Sequence, residues 1–171
     1  LSRRRQRQMC IRDSLCVDPD GRAMEGYPRG SVRTELSAEA VADKIRPVFS
    51  EENTPALFAA LNGDLSRLTP ASLLTAAETD QPLQEIAAET VKKFCVMLQA
   101  LHCLYAAEHV NLYGFGFTPE HLELIRKTAE EFAGEAFAQS ILLCPIGDRY
   151  HFLSGCTYII QAGFYQRGGL V

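Results

Sequence analysis

No stretch of this chain is apolar for long enough to cross a bilayer, because charged or polar residues interrupt every run. There is no Cys-x-x-Cys pair, no internal repeat and no low-complexity tract. No Ser-His-Asp set can be placed around a nucleophile elbow. A membrane-spanning helix, a paired-thiol centre, a repeat array and a triad hydrolase therefore have nothing in the sequence to rest on. Positive charge is also scarce: 17 basic residues face 21 acidic ones, a net charge of −4.

Much of that positive charge lies at the start of the chain, in Arg3, Arg4, Arg5, Arg7 and Arg12. A basic arm for nucleic acid or a targeting segment would be basic in the same way. However, Met9-Cys10-Ile11-Arg12-Asp13-Ser14 back-translates to ATG TGT ATA AGA GAC AGC, which matches a transposase mosaic end used in preparing sequencing libraries. Residues 1–14 are accordingly read as a sequencing-adapter artefact and set aside from the fold. The native reading is expected to begin near Leu15 and to be truncated on its N-terminal side. Without residues 1–14 the balance is 12 basic against 20 acidic, a net charge of −8. Such a chain repels phosphate backbones and acidic membrane surfaces, so direct contact with nucleic acid or membrane is not expected. Five cysteines remain: Cys16, Cys95, Cys103, Cys144 and Cys156. An odd number on mostly apolar segments, with no secretion signal, reads as reduced thiols in a cytoplasmic protein. The length allows one domain with a hydrophobic core.

Residues 15–36 are rich in turns, with Asp18-Pro19-Asp20-Gly21 and Tyr27-Pro28-Arg29-Gly30 the strongest. Ser37 caps a helix that carries Val41, Ile45 and Val48 on one face. Two short helices follow, near 54–61 and 70–77, the second with Thr69 at its cap and Pro70 at its first position. A long helix begins after Asp80, with Pro82 in its first turn. Its apolar face carries Leu83, Ile86, Val91, Phe94, Met97, Leu98, Leu101 and Leu104. Val110 to Tyr113 reads as a buried strand closed by Gly114 and Gly116. Thr118-Pro119-Glu120 starts a helix running to about Phe132, and Ile141 to Cys144 is a second buried strand. A last helix is expected over 152–166. Strands separated by helices in this order are parallel, which makes the domain α/β. Two strands are few for a stable sheet, so further strands are expected from a larger domain.

The order of these pieces resembles the C-terminal half of the ROK family of sugar kinases and sugar-responsive repressors. The matching pieces are Cys16-Val17-Asp18-Pro19-Asp20-Gly21, the 80–109 helix, Val110 to Phe117, and Gly147-Asp148 leading to Ser154-Gly155-Cys156. The resemblance covers nearly all of residues 15–165 and rests on the ordered set rather than on one motif. It implies the C-terminal lobe of an actin-like, ribonuclease-H-like ATPase fold, helix-rich and truncated. In that family a zinc-binding cluster reads Cys-x-Cys-Gly-x-x-Gly-Cys-Leu-Glu. Here Met24, Gly26 and Ser31 stand at the cysteine positions, and a structural zinc needs four thiolate or imidazole ligands. The family's sugar-holding glutamate falls at Arg33, and Glu35, two residues on, is a candidate substitute. A solvated loop pair is the simpler reading of these two residues. The family's Gly-Gly-Gly nucleotide turn is Gly114-Phe115-Gly116-Phe117 here, with a ring where the phosphates would approach. That turn is expected to keep its shape and lose its ligand, so neither ATP nor zinc is expected as a cofactor.

Gly114, Gly116 and Asp148 are the candidate nucleotide-site residues. Asp148 stands at the carboxyl end of a parallel strand, where ligands of α/β sheets gather, and a helix cap is its alternative role. Cys95, Cys103 and His102 are expected in the core. His109 should lie at the end of the long helix, where a cation suits the dipole, and His121 and His151 at the surface. Glu130, Glu131 and Glu135 read as a solvated face. The resemblance implies the sugar-sensing part of a ROK-type transcriptional regulator, homo-oligomeric when complete, that reaches DNA only through an upstream helix-turn-helix. An ATP-dependent hexose kinase and a non-catalytic interaction module are the alternatives.

Overall fold

The computed structural model describes residues 13–144. Residues 1–12 lie outside the described part. So do Asp148, His151, Cys156 and the helix expected over 152–166.

Two turns lead to a short helix, α1 (Val32–Leu36), that sequence patterning did not indicate. Ser37 ends α1 and caps α2 (Ala38–Ile45) by accepting a hydrogen bond from the Ala40 N–H. Helix α2 turns Ala40, Val41, Ala42 and Ile45 inward. Next come α3 (Pro55–Leu61), a single 3₁₀ turn (Leu65–Arg67) and α4 (Pro70–Ala77). In α4 the Thr69 and Ser72 side chains satisfy each other's backbone N–H groups in a capping box.

The long helix α5 spans Gln81–Tyr105, 25 residues. Its buried positions Leu83, Ala87, Val91, Cys95 and Leu98 recur every three or four residues, a stripe that faces the other helices. The stripe leaves the core at the last turn, where Leu104 and Tyr105 are exposed. Helix α5 stops at Ala106, in the left-handed conformation at φ 46°. His109 therefore lies beyond the helix, and His102 is the basic residue of the last turn. Asp80 precedes α5 as expected, but its side chain does not cap it. Its carboxylate instead accepts from the N–H groups of Ala56 at 3.2 Å and Leu57 at 2.9 Å. The start of one helix thus satisfies the first turn of another, and this pins α3 to α5.

Strand β1 (Val110–Leu112) pairs with β2 (Ile141–Leu143), and the two are parallel, with Val110 opposite Ile141 and Leu112 opposite Leu143. The crossover contains two helices where one was expected: α6 (Pro119–Ala133) and α7 (Glu135–Ser140), separated by Gly134 at φ 84°. Arg126 of α6 donates through Nε and Nη2 to the Ile141 carbonyl, at 2.9 and 2.7 Å, and so fixes the crossover to the start of β2. Among the described residues the fold is α/β, with helices dominating a two-stranded parallel sheet. One core joins both parts and includes Ile45, Leu57, Leu83, Val91, Leu112, Ile125 and Ile141. No described helix is long and apolar enough to cross a membrane.

Candidate functional site

Among the described residues, two groupings of side chains bear on the candidate residues. The first is centred on Lys93, which projects from the middle of α5 and is 8 % exposed. Its Nζ lies 2.6 Å from Glu35 Oε2, 2.8 Å from Asp18 Oδ2 and 2.5 Å from Glu89 Oε1. Glu35, on α1, is 1 % exposed. Its Oε1 accepts from the Arg22 N–H at 2.6 Å, and its Oε2 also accepts from Lys44 Nζ at 3.2 Å. The three carboxylates converge closely enough to suit a metal ion, but the Lys93 ammonium occupies the centre of their arrangement. Glu35 is thus no solvated loop residue. Both of its oxygens are committed to protein donors, and it ties the first turns of the chain to the long helix.

The charges in this cluster reinforce one another. Burial pushes the Glu35 carboxyl up, but Lys93, the Arg22 N–H and Lys44 outweigh it and hold it below the usual range. The bond from Lys93 lowers Asp18, and it lowers Glu89 against the opposing effect of burial. Burial disfavours the Lys93 ammonium, yet its three carboxylate partners raise its pKa above the ordinary lysine value. The lowered carboxylates contribute stability that is present above their unfolded values and lost as the pH falls through the folded ones. Lys93 contributes stability that is present below its unfolded value and lost only when strong alkali deprotonates it in the folded state. Stability should therefore hold level at neutral pH and fall on acidification through the carboxylate range. In Lys93→Met that acid limb should be clearly shallower, as urea unfolding across a pH series would show. Parallel acid limbs for the two proteins would refute the coupling.

The second place is the turn after β1. Gly114 (φ 78°) and Gly116 (φ 69°) both take the left-handed backbone that glycine adopts freely. A Cβ added at Gly114 would meet nothing within 4 Å, and one at Gly116 would make only ordinary contact with Ala71. These glycines shape the turn, and no neighbouring backbone crowds them. Phe115 and Phe117 stack on each other with centroids 5.4 Å apart, and each meets Phe94 of α5 edge-on at 6.0 Å. The rings border a cavity of about 530 Å³, with Arg33 also in its wall. The structure thus brings Arg33 and the Gly114–Phe117 turn to one cavity and sends Glu35 elsewhere. Arg33 also lies over the Tyr27 ring, 5.8 Å from its centroid.

Other candidate residues are placed as follows. His121, expected at the surface, is 4 % exposed. Its Nδ1 accepts from the Thr118 N–H at 3.2 Å, which leaves the ring proton on Nε2, 3.1 Å from Thr75 Oγ1. It holds the N3 position of a capping box that begins at Thr118, a position more often held by Glu or Gln. Cys95 is fully buried as expected; burial pushes its thiol up to about 12, which leaves it unreactive. Cys103 is exposed rather than in the core, and His102 is half-buried with its ring edge-on to Phe137. Glu130, Glu131 and Glu135 form a solvated face.

The residues at the zinc-cluster positions do not fit a structural zinc. Met24 pairs with Tyr27 in a tight bridge, Gly26 has no side chain, and the buried Ser31 hydroxyl donates to Thr34 Oγ1 at 3.4 Å. Cys16, paired with Ser31 across an antiparallel bridge, is a single thiol there. The sequence singles out Glu35 as a candidate sugar-holding residue but does not show the Lys93 cluster that it joins. Its one local signal is the Glu89–Lys93 spacing of four residues on a helix, a pattern common on solvated faces. Comparison with protein-family models, with curated proteins and with solved structures finds no match for this chain.

Proposed function

We propose that this chain is the effector-sensing part of a ROK-type transcriptional regulator, built on the C-terminal lobe of an actin-like ATPase fold, and that it transfers no phosphoryl group. The observation that carries this reading is the stacked pair Phe115 and Phe117 at the carboxyl end of β1. Parallel α/β sheets bind their ligands at that end. A phosphate cradle there needs free backbone N–H groups and room beside them. Two rings packed on Phe94 present an apolar wall instead. On this reading the effector is a sugar, and DNA is reached through an upstream helix-turn-helix. The kinase reading retains two observations in its favour, the left-handed backbone at both Gly114 and Gly116 and the open space beside Gly114.

The test is to titrate a panel of hexoses into the purified protein, with and without magnesium and ATP, following both the melting temperature and sugar phosphate. The regulator reading expects at least one hexose to raise the melting temperature equally with and without nucleotide, and no sugar phosphate to form. Turnover of a hexose to its phosphate would replace it with the kinase reading. No shift with any hexose would remove the sugar from the proposal.

A further inference from the structure

The buried His121 ring ties three pieces of the chain together. Nδ1 accepts from the Thr118 N–H at 3.2 Å, where the turn after β1 enters α6. Nε2 carries the ring proton and donates to Thr75 Oγ1 of α4, at 3.1 Å. The ring also meets Phe117 edge-on, with centroids 6.1 Å apart, and Phe117 stacks on Phe115. Both hydrogen bonds exist together only for the neutral ring with its proton on Nε2. A second proton has to sit on Nδ1, where it points at the Thr118 N–H. Two donors then face each other across 3.2 Å with no acceptor between them.

The elements packed around the ring bring little charge to it. Helices α3 and α4 carry no ionisable side chain, and neither do Gly114 to Thr118. From α5, Phe94 reaches this group through Phe117. Asp80, before α5, bonds the Ala56 N–H, and Ala56 lines the same hollow as His121. That carboxylate is already held by two backbone donors. Glu120, the neighbour of His121 on α6, attracts a cation, but the Thr118 hydroxyl engages its carboxylate. His121 itself stands in the first turn of α6, where the helix dipole opposes a cation.

We propose that His121 is a proton-operated latch: the neutral ring holds the turn after β1 against α4, and the protonated ring releases it. Histidine changes charge between about pH 5 and 8, so the latch answers to mild acid. Release begins at Thr118, whose N–H loses its acceptor, and passes to Phe117 and Phe115, the stacked rings of the turn. The lost bond is half of the α6 capping box, so the start of that helix loosens with the turn. The latch rests on the two bonds of the ring and does not depend on the regulator reading.

Nuclear magnetic resonance of the isotope-labelled 171-residue chain, titrated from about pH 8 to about pH 5, tests this. The ring nitrogen shifts report the His121 proton, and the amide shifts and amide exchange report the turn. The Thr118 amide is expected to lose protection about fivefold or more, the loss for one cap bond. The Gly116 and Phe117 amides are expected to shift along the same titration curve as the ring. In His121→Gln the side-chain oxygen takes the Thr118 N–H without titrating, so these amides should keep their positions and protection. A ring that gains its proton while the three amides stay unchanged would overturn the proposal. So would a ring that stays neutral throughout, or loosening of the same size in His121→Gln. If His121→Gln does not fold, the parent titration alone decides, because it reads ring and turn separately.

Discussion

Replacing Lys93 by alanine is expected to destabilise the folded chain by about 3–5 kcal/mol, the range for removing one partner of a buried ion pair. The reason is the state in which the substitution leaves Glu35. That carboxylate is 1 % exposed, and Lys93 is its shortest side-chain contact, at 2.6 Å. Lys44 would remain at 3.2 Å, but Lys44 is also shared with Glu89. Asp18 and Glu89 would lose the same counter-charge, so three carboxylates would converge with one ammonium between them. Lys44→Ala should cost much less, because Lys93 stays in the centre. Urea unfolding of the two variants against the parent measures both losses. A Lys93→Ala cost below about 1 kcal/mol, the range of a surface pair, would mean that the cluster is solvated in solution.

Gly30→Ala should have an effect of similar size, for a steric reason. Gly30 has φ +60°, and a Cβ built there falls 1.5 Å from the Asp18 carbonyl oxygen. Left-handed backbone costs a non-glycine residue about 1–2 kcal/mol, and overpacking against fixed atoms adds about 1–3 kcal/mol, so a loss of about 2–5 kcal/mol is expected. The neighbouring backbone cannot easily yield. The Gly30 carbonyl accepts from the N–H groups of Val17 and Asp18 at 2.8 and 3.1 Å, and the Gly30 N–H donates to the Arg22 carbonyl at 2.9 Å. Moving this turn would also move Asp18 away from Lys93. Gly26 is the control: its φ is +80°, but an added Cβ there meets nothing within 4 Å. Gly26→Ala should therefore cost only the conformational part. Equal losses at the two positions would show that the close approach at Gly30 relaxes without cost.

These two expectations concern residues that sequence patterning treats very differently. Both turns of the 15–36 region are legible from Asp-Pro-Asp-Gly and Tyr-Pro-Arg-Gly, because turn chemistry is local. The same holds for the helices that start after Ser37, Thr69 and Thr118, and for the parallel pair β1 and β2. Caps, periodicity and short apolar runs declare themselves within a few residues. The Lys93 cluster does not, since Glu35 and Asp18 are far from Lys93 in sequence and meet it only when α1 and the first turn pack on α5. Patterning alone places Lys93 just off the apolar face, where a solvated lysine would be expected. Asp80 shows the same limit, because its position before α5 suggests a cap for that helix while packing assigns it to α3. His121 stands where a Glu or Gln of a capping box would, and Thr75 across from it explains its burial. Helix α7 has only six residues and begins after a glycine, too short for periodicity to mark.

The candidate nucleotide turn was legible in outline, as two glycines after a strand. What occupies the space beside it was not. Phe94 lies some twenty residues earlier on α5, and only the packing of α5 beside the turn brings the three rings together.

Calorimetric titration of the 171-residue chain with magnesium and ATP is the most direct test of the proposal that the turn after β1 binds no nucleotide. Because Phe115 and Phe117 stack on each other and meet Phe94 edge-on, no heat beyond dilution is expected at ATP concentrations up to the millimolar range. Saturable binding with micromolar affinity and one ATP per chain would contradict it, and would return the turn at Gly114–Phe117 to the kinase reading.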